Sequence, residues 1–260
     1  MSWVFRKSTR YSVIMGGSLA IVGSFILASL AHGQAGALVH PDLGKQDAVE
    51  IKEDFLIEAT ENKAIISLKN VWPRSGDKFR IRVCWENPAD QHQRQREITR
   101  IAVENTWQLM SSIEFLGWDR CDQKPQSEIR IRVGDEWPRS GVGWQRGAEP
   151  TRMYLNFDFN APSQWTFCRS TAAACIQKLA VHEFGHALGF VHEQERNDTP
   201  DDCIKLVGDQ KLPDMKGFTT AGTKYDPDSV MNYCNPVWNN AGHLSRLDVL
   251  ALQRVYDKPK

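Results

Sequence analysis

Three stretches of the chain alternate apolar and polar side chains with a period of two residues. Residues 79–83 read Phe-Arg-Ile-Arg-Val, and residues 129–133 read Ile-Arg-Ile-Arg-Val. Successive side chains of a strand point to opposite faces of its sheet, so this alternation predicts strands with one covered and one solvated face. Residues 153–159, Met-Tyr-Leu-Asn-Phe-Asp-Phe, predict a further strand.

Helical spacing appears between and after these strands. Apolar side chains recur every three or four residues from Ile98 to Leu109, which predicts a helix between the first two strands. Residues 244–256 predict a closing helix, for which Ser245 is a suitable N-cap with Asp248 three residues further on. Strand and helix signals therefore alternate from residue 63 to the C-terminus, which we interpret as one folded domain over residues 63–260.

The first 33 residues form a separate unit. Arg6, Lys7 and Arg10 precede an uncharged stretch over residues 11–31, which ends in small residues. This layout predicts a secretory signal over residues 1–33. The alternative is an uncleaved membrane anchor, because the apolar run approaches the length that spans a bilayer. Residues 34–62 are polar, acidic and weakly periodic, and we interpret them as a pro-segment or linker.

Composition narrows the classes of function. The chain has 260 residues, 41% of them hydrophobic, and its 32 Lys and Arg balance 32 Asp and Glu. A general nucleic-acid-binding protein needs clustered positive charge to neutralise phosphates, so we expect no nucleic-acid partner. The hydrophobic content also excludes a disordered or collagen-like chain.

The six cysteines are expected to form disulfides, because an exported chain meets an oxidising compartment. None of them forms a Cys-x-x-Cys pair, so a structural zinc site made of thiolates lacks its usual spacing. The sequence alone does not fix the pairing. The simplest hypothesis joins neighbours in chain order: Cys84 with Cys121, Cys168 with Cys175, and Cys203 with Cys234.

The chemistry is concentrated in residues 181–193, which contain the pattern His-Glu-x-x-His-x-x-Gly-x-x-His. On a helix, His182 and His186 lie one turn apart, and the Glu183 carboxylate falls within the same arc of about 100°. Gly189 can adopt a positive φ and end the helix, which would let His192 return as a third ligand. Three histidines around one zinc ion leave the fourth position open to water, as in catalytic rather than structural sites.

This extended motif is specific. A chain of this length contains His-Glu-x-x-His by chance with odds of about 1 in 100, and the glycine and third histidine lower the odds to about 1 in 100,000. The alternative, in which all three are core histidines satisfied by backbone carbonyls, is poor at these spacings. An apolar stripe on the same helix would anchor it in the core; its members are Ile176, Ala180, Phe184, Ala187 and Leu188.

The motif, together with residues 229–233, Ser-Val-Met-Asn-Tyr, resembles the metzincin metallopeptidases with their methionine turn. Residues 189–196, Gly-Phe-Val-His-Glu-Gln-Glu-Arg, are most similar to the astacin family. The resemblance is close over residues 171–234 and looser over residues 63–260. It implies an α+β fold in which helices back a twisted mixed sheet, the zinc helix lines the cleft, and a less regular C-terminal part carries the methionine turn.

The resemblance also implies roles for single residues. His182, His186 and His192 match the ligands of one catalytic Zn²⁺, and Glu183 matches the catalytic base. Tyr233 matches a tyrosine that can ligate zinc and stabilise the transition state. Two further residues match family features that do not act on substrate: Met231 is the methionine that packs beneath the metal, and Glu193 lies near the matured N-terminus.

We therefore expect a zinc metalloendopeptidase whose partners are proteins or peptides. An extended substrate is expected to add to the strand at residues 153–159, as it does in related enzymes. The expected location is extracellular or periplasmic, with no stable membrane association unless the N-terminal segment stays uncleaved. The alternatives are an inactive zinc-binding protein, which would be expected to lose Glu183 first, and a membrane-tethered processing protease.

Overall fold

The computed structural model describes residues 66–123, 126, 128–145, 149–161, 163–207, 218–219 and 221–258. The proposed signal segment and the proposed pro-segment or linker lie outside these residues, so both stay predictions. In the described part, the strands are β1 (Ile66–Ser67), β2 (Phe79–Trp85), β3 (Ile113–Arg120), β4 (Ile129–Val133), β5 (Arg139–Ser140), β6 (Thr151–Leu155) and β7 (Phe218–Thr219). The α-helices are α1 (Gln93–Val103), α2 (Ala172–Ala187), α3 (Asp201–Val207) and α4 (Arg246–Tyr256).

Shorter helical segments connect these elements. A π-helical turn, Glu104–Gln108, extends α1. The 3₁₀ segments are Leu68–Asn70, Asp90–His92, Ser163–Thr171, Glu193–Glu195 and Trp238–Gly242. The predicted strands at residues 79–83 and 129–133 and the predicted helices around residues 98–109 and 244–256 are all confirmed.

The main sheet has five strands in the order β3-β2-β4-β6-β5. β2 runs parallel to β3 and β4, and β4 runs parallel to β6, whereas β5 is antiparallel to β6. The sheet is therefore mixed, and the expected α+β class is confirmed. Along β2 the apolar side chains are buried and Arg80 and Arg82 are exposed, as the alternation predicts.

The strand predicted over residues 153–159 is shorter than expected and begins two residues earlier. β6 ends at Leu155 because the Asn156 side chain accepts hydrogen bonds from the backbone N–H groups of Asp158 (3.0 Å) and Phe159 (2.8 Å). Such an Asx turn diverts the backbone from the sheet. Phe157 and Phe159 are still buried in the core, so their apolar character reflects packing rather than strand structure.

The prediction that this strand is the free edge for a peptide is wrong. β5 covers β6, with Arg139 opposite Tyr154 and Ser140 opposite Met153. Among the described residues, the outer strand on this side of the sheet is therefore β5. The two residues of β5 carry no periodic signal, which is why the sequence did not reveal this strand.

The core lies between one face of the sheet and the helices α1 and α2. Trp107, at the end of the π-helical turn, donates from its indole Nε1 to the carbonyl of Val181 in α2 (2.8 Å). Phe184 of α2 packs edge-on against Phe115 of β3, with ring centroids 5.3 Å apart. These contacts fix α2 against the sheet. The predicted apolar stripe of α2 is buried throughout: Ile176, Ala180, Phe184, Ala187 and Leu188.

Three disulfides join Cys84 to Cys121, Cys168 to Cys175, and Cys203 to Cys234. The hypothesis that neighbours pair in chain order is therefore confirmed. Two of the bridges bear on the region around α2, since Cys175 lies in that helix and Cys234 follows the predicted methionine turn. No helix within the described residues has the length and apolar character needed to cross a membrane.

Candidate metal centre

The helix α2 carries the first part of the predicted site in its last two turns. His182, Glu183 and His186 are all buried there, with exposed fractions of 2%, 4% and 9%. Residues four apart lie on the same face of a helix, so the two imidazoles point to one side. The buried apolar stripe holds the opposite side of α2 in the core.

The turn after α2 brings in the third histidine. Gly189 has φ of 101°, a conformation that residues with a Cβ rarely adopt, and its N–H donates to the carbonyl of His186 (2.8 Å). The chain reverses there and His192 returns toward the helix, with its Nε2 3.1 Å from the Nε2 of His186. One ring nitrogen from each of His182, His186 and His192 lies within 4.8 Å of the other two.

Each histidine has a partner on its other ring nitrogen. The Nδ1 of His182 lies 2.8 Å from the carbonyl of Val230, and the Nδ1 of His186 lies 2.9 Å from the carbonyl of Phe190. The Nδ1 of His192 lies 3.1 Å from Oε1 of Glu195. Carbonyl and carboxylate oxygens only accept, so these contacts place the proton on Nδ1 and leave the lone pair of Nε2 free.

The donor set fits a metal such as zinc. The buried Nε2 of His182 has no hydrogen-bond partner among the described residues, and an orphaned buried acceptor is costly unless something binds it. Burial, together with the nearby His192, lowers the pKa of His182 to about 3. Burial also lowers the pKa of His186 well below its usual value. Both imidazoles are therefore neutral near pH 7, as metal ligands must be.

Glu183 provides a carboxylate next to the cluster. Its Oε2 is buried and has no hydrogen-bond partner among the described residues. Burial raises the pKa of Glu183 to about 8, and the positive charge of Arg139 acts in the opposite direction. A cation bound by the histidines would lower this pKa, because it favours the ionised carboxylate. Glu183 can thus accept and release a proton near neutral pH.

The methionine turn lies against α2. Met231 is buried, and a Cβ built on Gly185 would lie within 3.0 Å of Trp107 Cζ2 and closer still to Sδ of Met231. Met231 can therefore pack directly against α2 because Gly185 has no side chain. The Met231 carbonyl also accepts from the N–H of Glu193 (3.0 Å), which links the turn to the loop of the third histidine.

Tyr233 lies at the open side of the cluster. Its ring centroid is 4.3 Å from that of His192 and 5.5 Å from that of His182, and 47% of the residue is exposed. Burial of part of its surface and the negative charges of Glu183 and Glu195 raise the pKa of the phenol. The phenol therefore stays protonated and can donate a hydrogen bond.

Glu193 is buried within a charged cluster. Its Oε1 lies 3.4 Å from Nε of Arg196 and accepts from the backbone N–H of Asp226 (2.9 Å). Burial raises the pKa of this carboxyl to about 8. The expected contact with a matured N-terminus involves residues outside the described part and stays a prediction.

Several residues that orient the site were not assigned this role from the sequence. Glu195 contacts His192, the Val230 carbonyl contacts His182, and the Gln194 side chain accepts from the N–H of Tyr233 (3.0 Å). The Val230 contact is made by the backbone and has no signature in side-chain identity. The Glu195 contact had a usable signal, since a carboxylate three residues after a histidine ligand can reach its ring in a 3₁₀ turn.

Comparison with known proteins identifies relatives of this region. The model of the astacin family of peptidases matches residues 169–253. "Zinc metalloproteinase nas-15" of Caenorhabditis elegans is 35% identical over 83 residues, which cover 28% of this chain and 14% of that protein. "Matrix metalloproteinase-C" of the same organism is 25% identical over 171 residues, which cover 62% of this chain and 25% of that protein.

A solved structure shares the fold. "Structure of myroilysin" superposes with a TM-score of 0.51 at 18% sequence identity, and the match covers 75% of this chain and all of that one. The chain thus spans a quarter or less of the length of the two sequence relatives, while it spans a complete chain of similar fold.

Proposed function

Because this chain is an astacin-like metzincin, we propose that it is a zinc-dependent endopeptidase in which His182, His186 and His192 hold one zinc ion. The observation that carries the proposal is the convergence of three ring nitrogens within 4.8 Å beside a buried carboxylate. The relative "Zinc metalloproteinase nas-15" is named for zinc, and zinc accepts histidine nitrogen ligands.

Zinc, when bound, supplies Lewis-acid polarisation of the scissile carbonyl and lowers the pKa of a water molecule toward about 7. Glu183 acts as the general base. Its free Oε2 takes a proton from the attacking water while the carbon–oxygen bond forms, and later returns it to the leaving nitrogen as the carbon–nitrogen bond breaks. Burial raises the pKa of Glu183 and a bound cation lowers it, and these opposing effects favour a carboxylate that accepts and releases a proton near neutral pH.

Tyr233 stabilises the transition state. Its raised pKa keeps the phenol protonated, and its ring lies beside those of His182 and His192. A neutral donor at this place can bond the oxygen that gains negative charge when water attacks. The exposure of nearly half of the residue leaves it accessible to substrate.

The substrate is an extended protein or peptide segment. β5 is the outer strand of the described sheet on the side near the histidines, since the N–H of Gly143, just after β5, donates to the carbonyl of His186 (2.8 Å). An extended peptide can pair with such an edge through its backbone. We therefore assign substrate pairing to the edge formed by β5 and not to residues 153–159.

The proposal is tested by zinc content and by digestion of casein, with and without a chelator. We expect stoichiometric zinc, and activity that both chelation and Glu183→Ala abolish. Glu97→Ala is the matched control, because Glu97 is an exposed carboxylate of α1 paired with Arg100. Zinc binding without cleavage, even after removal of residues 1–62, would instead identify a zinc-binding protein.

The protein acts outside the cytoplasm. Three disulfides support an oxidising compartment, and the layout of residues 1–33 supports export. N-terminal sequencing of the exported protein tests this step. A mature N-terminus near residue 34 or later is expected, whereas an intact N-terminus in the membrane fraction would indicate a tethered protease.

A further inference from the structure

Asp248 is a buried carboxylate that the proposed mechanism does not use. It lies in the first turn of α4, and only 3% of the residue is exposed. It forms a capping box with Ser245: the Ser245 Oγ accepts from the N–H of Asp248 (2.9 Å), and Oδ2 of Asp248 accepts from the N–H of Ser245 (2.9 Å). This part of its role is local to the helix.

The same carboxylate also holds the methionine turn. Oδ2 of Asp248 accepts from the N–H of Val230 (2.9 Å), and Oδ1 accepts from the Oγ of Ser229 (2.7 Å). The Ser229 Oγ accepts in turn from the N–H of Met231 (3.0 Å). Three successive residues of the turn are thus fixed, directly or through Ser229, by one side chain from α4.

Val230 connects Asp248 to the metal centre through hydrogen bonds of its backbone. The N–H of Val230 donates to Asp248, and the carbonyl of Val230 accepts from Nδ1 of His182. His182 therefore takes its ring orientation from a residue whose position depends on Asp248. Loss of a group that orients a metal-ligating histidine typically weakens metal binding by about 10–100-fold.

We propose that Asp248 is a positioning residue of the metal centre, which sets the orientation of His182 through Val230 and thereby strengthens zinc binding. The inference rests on the proposed function only in that the three histidines take zinc. Helix capping alone does not account for the geometry, because the capping box uses only Ser245, whereas the bonds to Ser229 and Val230 join α4 to a turn 18 and 19 residues earlier.

The test compares zinc dissociation constants of the metal-free full chain, measured by competition with a chromophoric chelator at pH 7. Asp248→Ala removes all three hydrogen bonds of the carboxylate. Asp248→Glu retains a side chain that is common in capping boxes but moves the carboxylate by one methylene, away from its place against Val230. Asp248→Asn keeps an oxygen that can accept from both Val230 and Ser245.

Ser245→Ala is the matched control. It removes the capping bond to the N–H of Asp248 and the hydrogen bond from Ser245 Oγ to Asp226, and so destabilises α4, but it leaves the Asp248 carboxylate bonds to Val230 and Ser229 in place. Far-UV circular dichroism and the thermal midpoint report folding for each variant. This control separates loss of stability from loss of metal affinity.

We expect Asp248→Ala and Asp248→Glu to weaken zinc binding by about tenfold or more, and Asp248→Asn and Ser245→Ala to stay within about threefold of the wild type. If Asp248→Ala fails to fold, Asp248→Glu decides. Unchanged zinc affinity in Asp248→Glu, or an equal loss in Ser245→Ala, would overturn the proposal. The readout is zinc binding, so this result does not depend on whether the chain cleaves peptides.

Discussion

At the scale of single residues, the phenol of Tyr233 is the group whose role most needs a direct measurement. Tyr233→Phe removes a donor but keeps the ring that packs beside His192. We expect kcat to fall by about 10²-fold while zinc content stays stoichiometric, since loss of one transition-state donor has an effect of this order. Steady-state kinetics on a fluorogenic peptide measure it. An unchanged kcat would show that the phenol takes no part in the reaction.

Glu195 distinguishes His192 from the other two histidines. The Nδ1 of His192 contacts a carboxylate, whereas those of His182 and His186 contact backbone carbonyls. A carboxylate makes the imidazole a stronger ligand, so we expect Glu195→Gln to weaken zinc binding about tenfold. Chelator competition gives the affinity.

Glu114→Gln is a suitable control for the Glu195 variant, because Glu114 is an exposed carboxylate of β3 that pairs with Arg80. Equal zinc affinities in the two variants would mean that the carboxylate only limits the motion of the ring and adds nothing to its donor strength.

At the scale of elements, the fit between α2 and the methionine turn depends on Gly185. A Cβ at this position would meet Met231 and Trp107, so Gly185→Ala must displace the turn. We expect a loss of about 1–3 kcal/mol in the free energy of unfolding, the usual range for an overpacked core. Urea denaturation of the zinc-loaded protein measures this loss.

A second substitution tests the cause of that loss. In the Gly185→Ala background, Met231→Ala removes the side chain that would clash. The double variant should then lose less stability than the sum of the two single variants, because one substitution makes room for the other. Additive losses would place the effect of Gly185→Ala elsewhere, for example in the contact with Trp107.

The helices and strands with a strong period could be predicted from the sequence, and so could the histidine cluster. The Arg-alternating strands and the N-cap at Ser245 follow local rules, and His182, His186 and His192 converge because a helix and one glycine turn dictate it. β5 and the end of β6 could not be predicted. The two-residue strand β5 is defined only by its pairing with β6. β6 ends at the Asn156 side chain although apolar residues continue after it.

The contacts of the site that join distant segments of the chain also could not be predicted from the sequence. The contact between Val230 and His182 joins residues 48 apart, and the bond from Val230 to Asp248 spans another 18. Neither has a local pattern, because tertiary packing brings these segments together. Asp248 was visible as a capping residue, but only the structure shows that its carboxylate also holds the methionine turn.

At the scale of the whole molecule, the metal-free protein should lose stability as pH rises from 6.5 to 8. Burial raises the pKa of both Glu183 and Glu193 to about 8, so the folded state holds protons that the unfolded chain has already released. This contribution to stability is complete below the unfolded pKa of a glutamate and is lost as pH rises through 8. Each group should cost about 1–2 kcal/mol over this interval.

His182 and His186 act in the opposite direction but in a different interval. The folded pKa values of these two residues are depressed, to about 3 for His182, so their contribution is complete above the unfolded value near 6.5 and is lost only as pH falls. Between pH 6.5 and 8 the glutamates therefore dominate. Urea denaturation at several pH values in the presence of a chelator should show the decline, and Glu183→Gln should remove about half of it. If Glu183→Gln left this slope unchanged, Glu183 would already be ionised in the folded, metal-free protein over this pH range. Its pKa would then be lower than its burial implies.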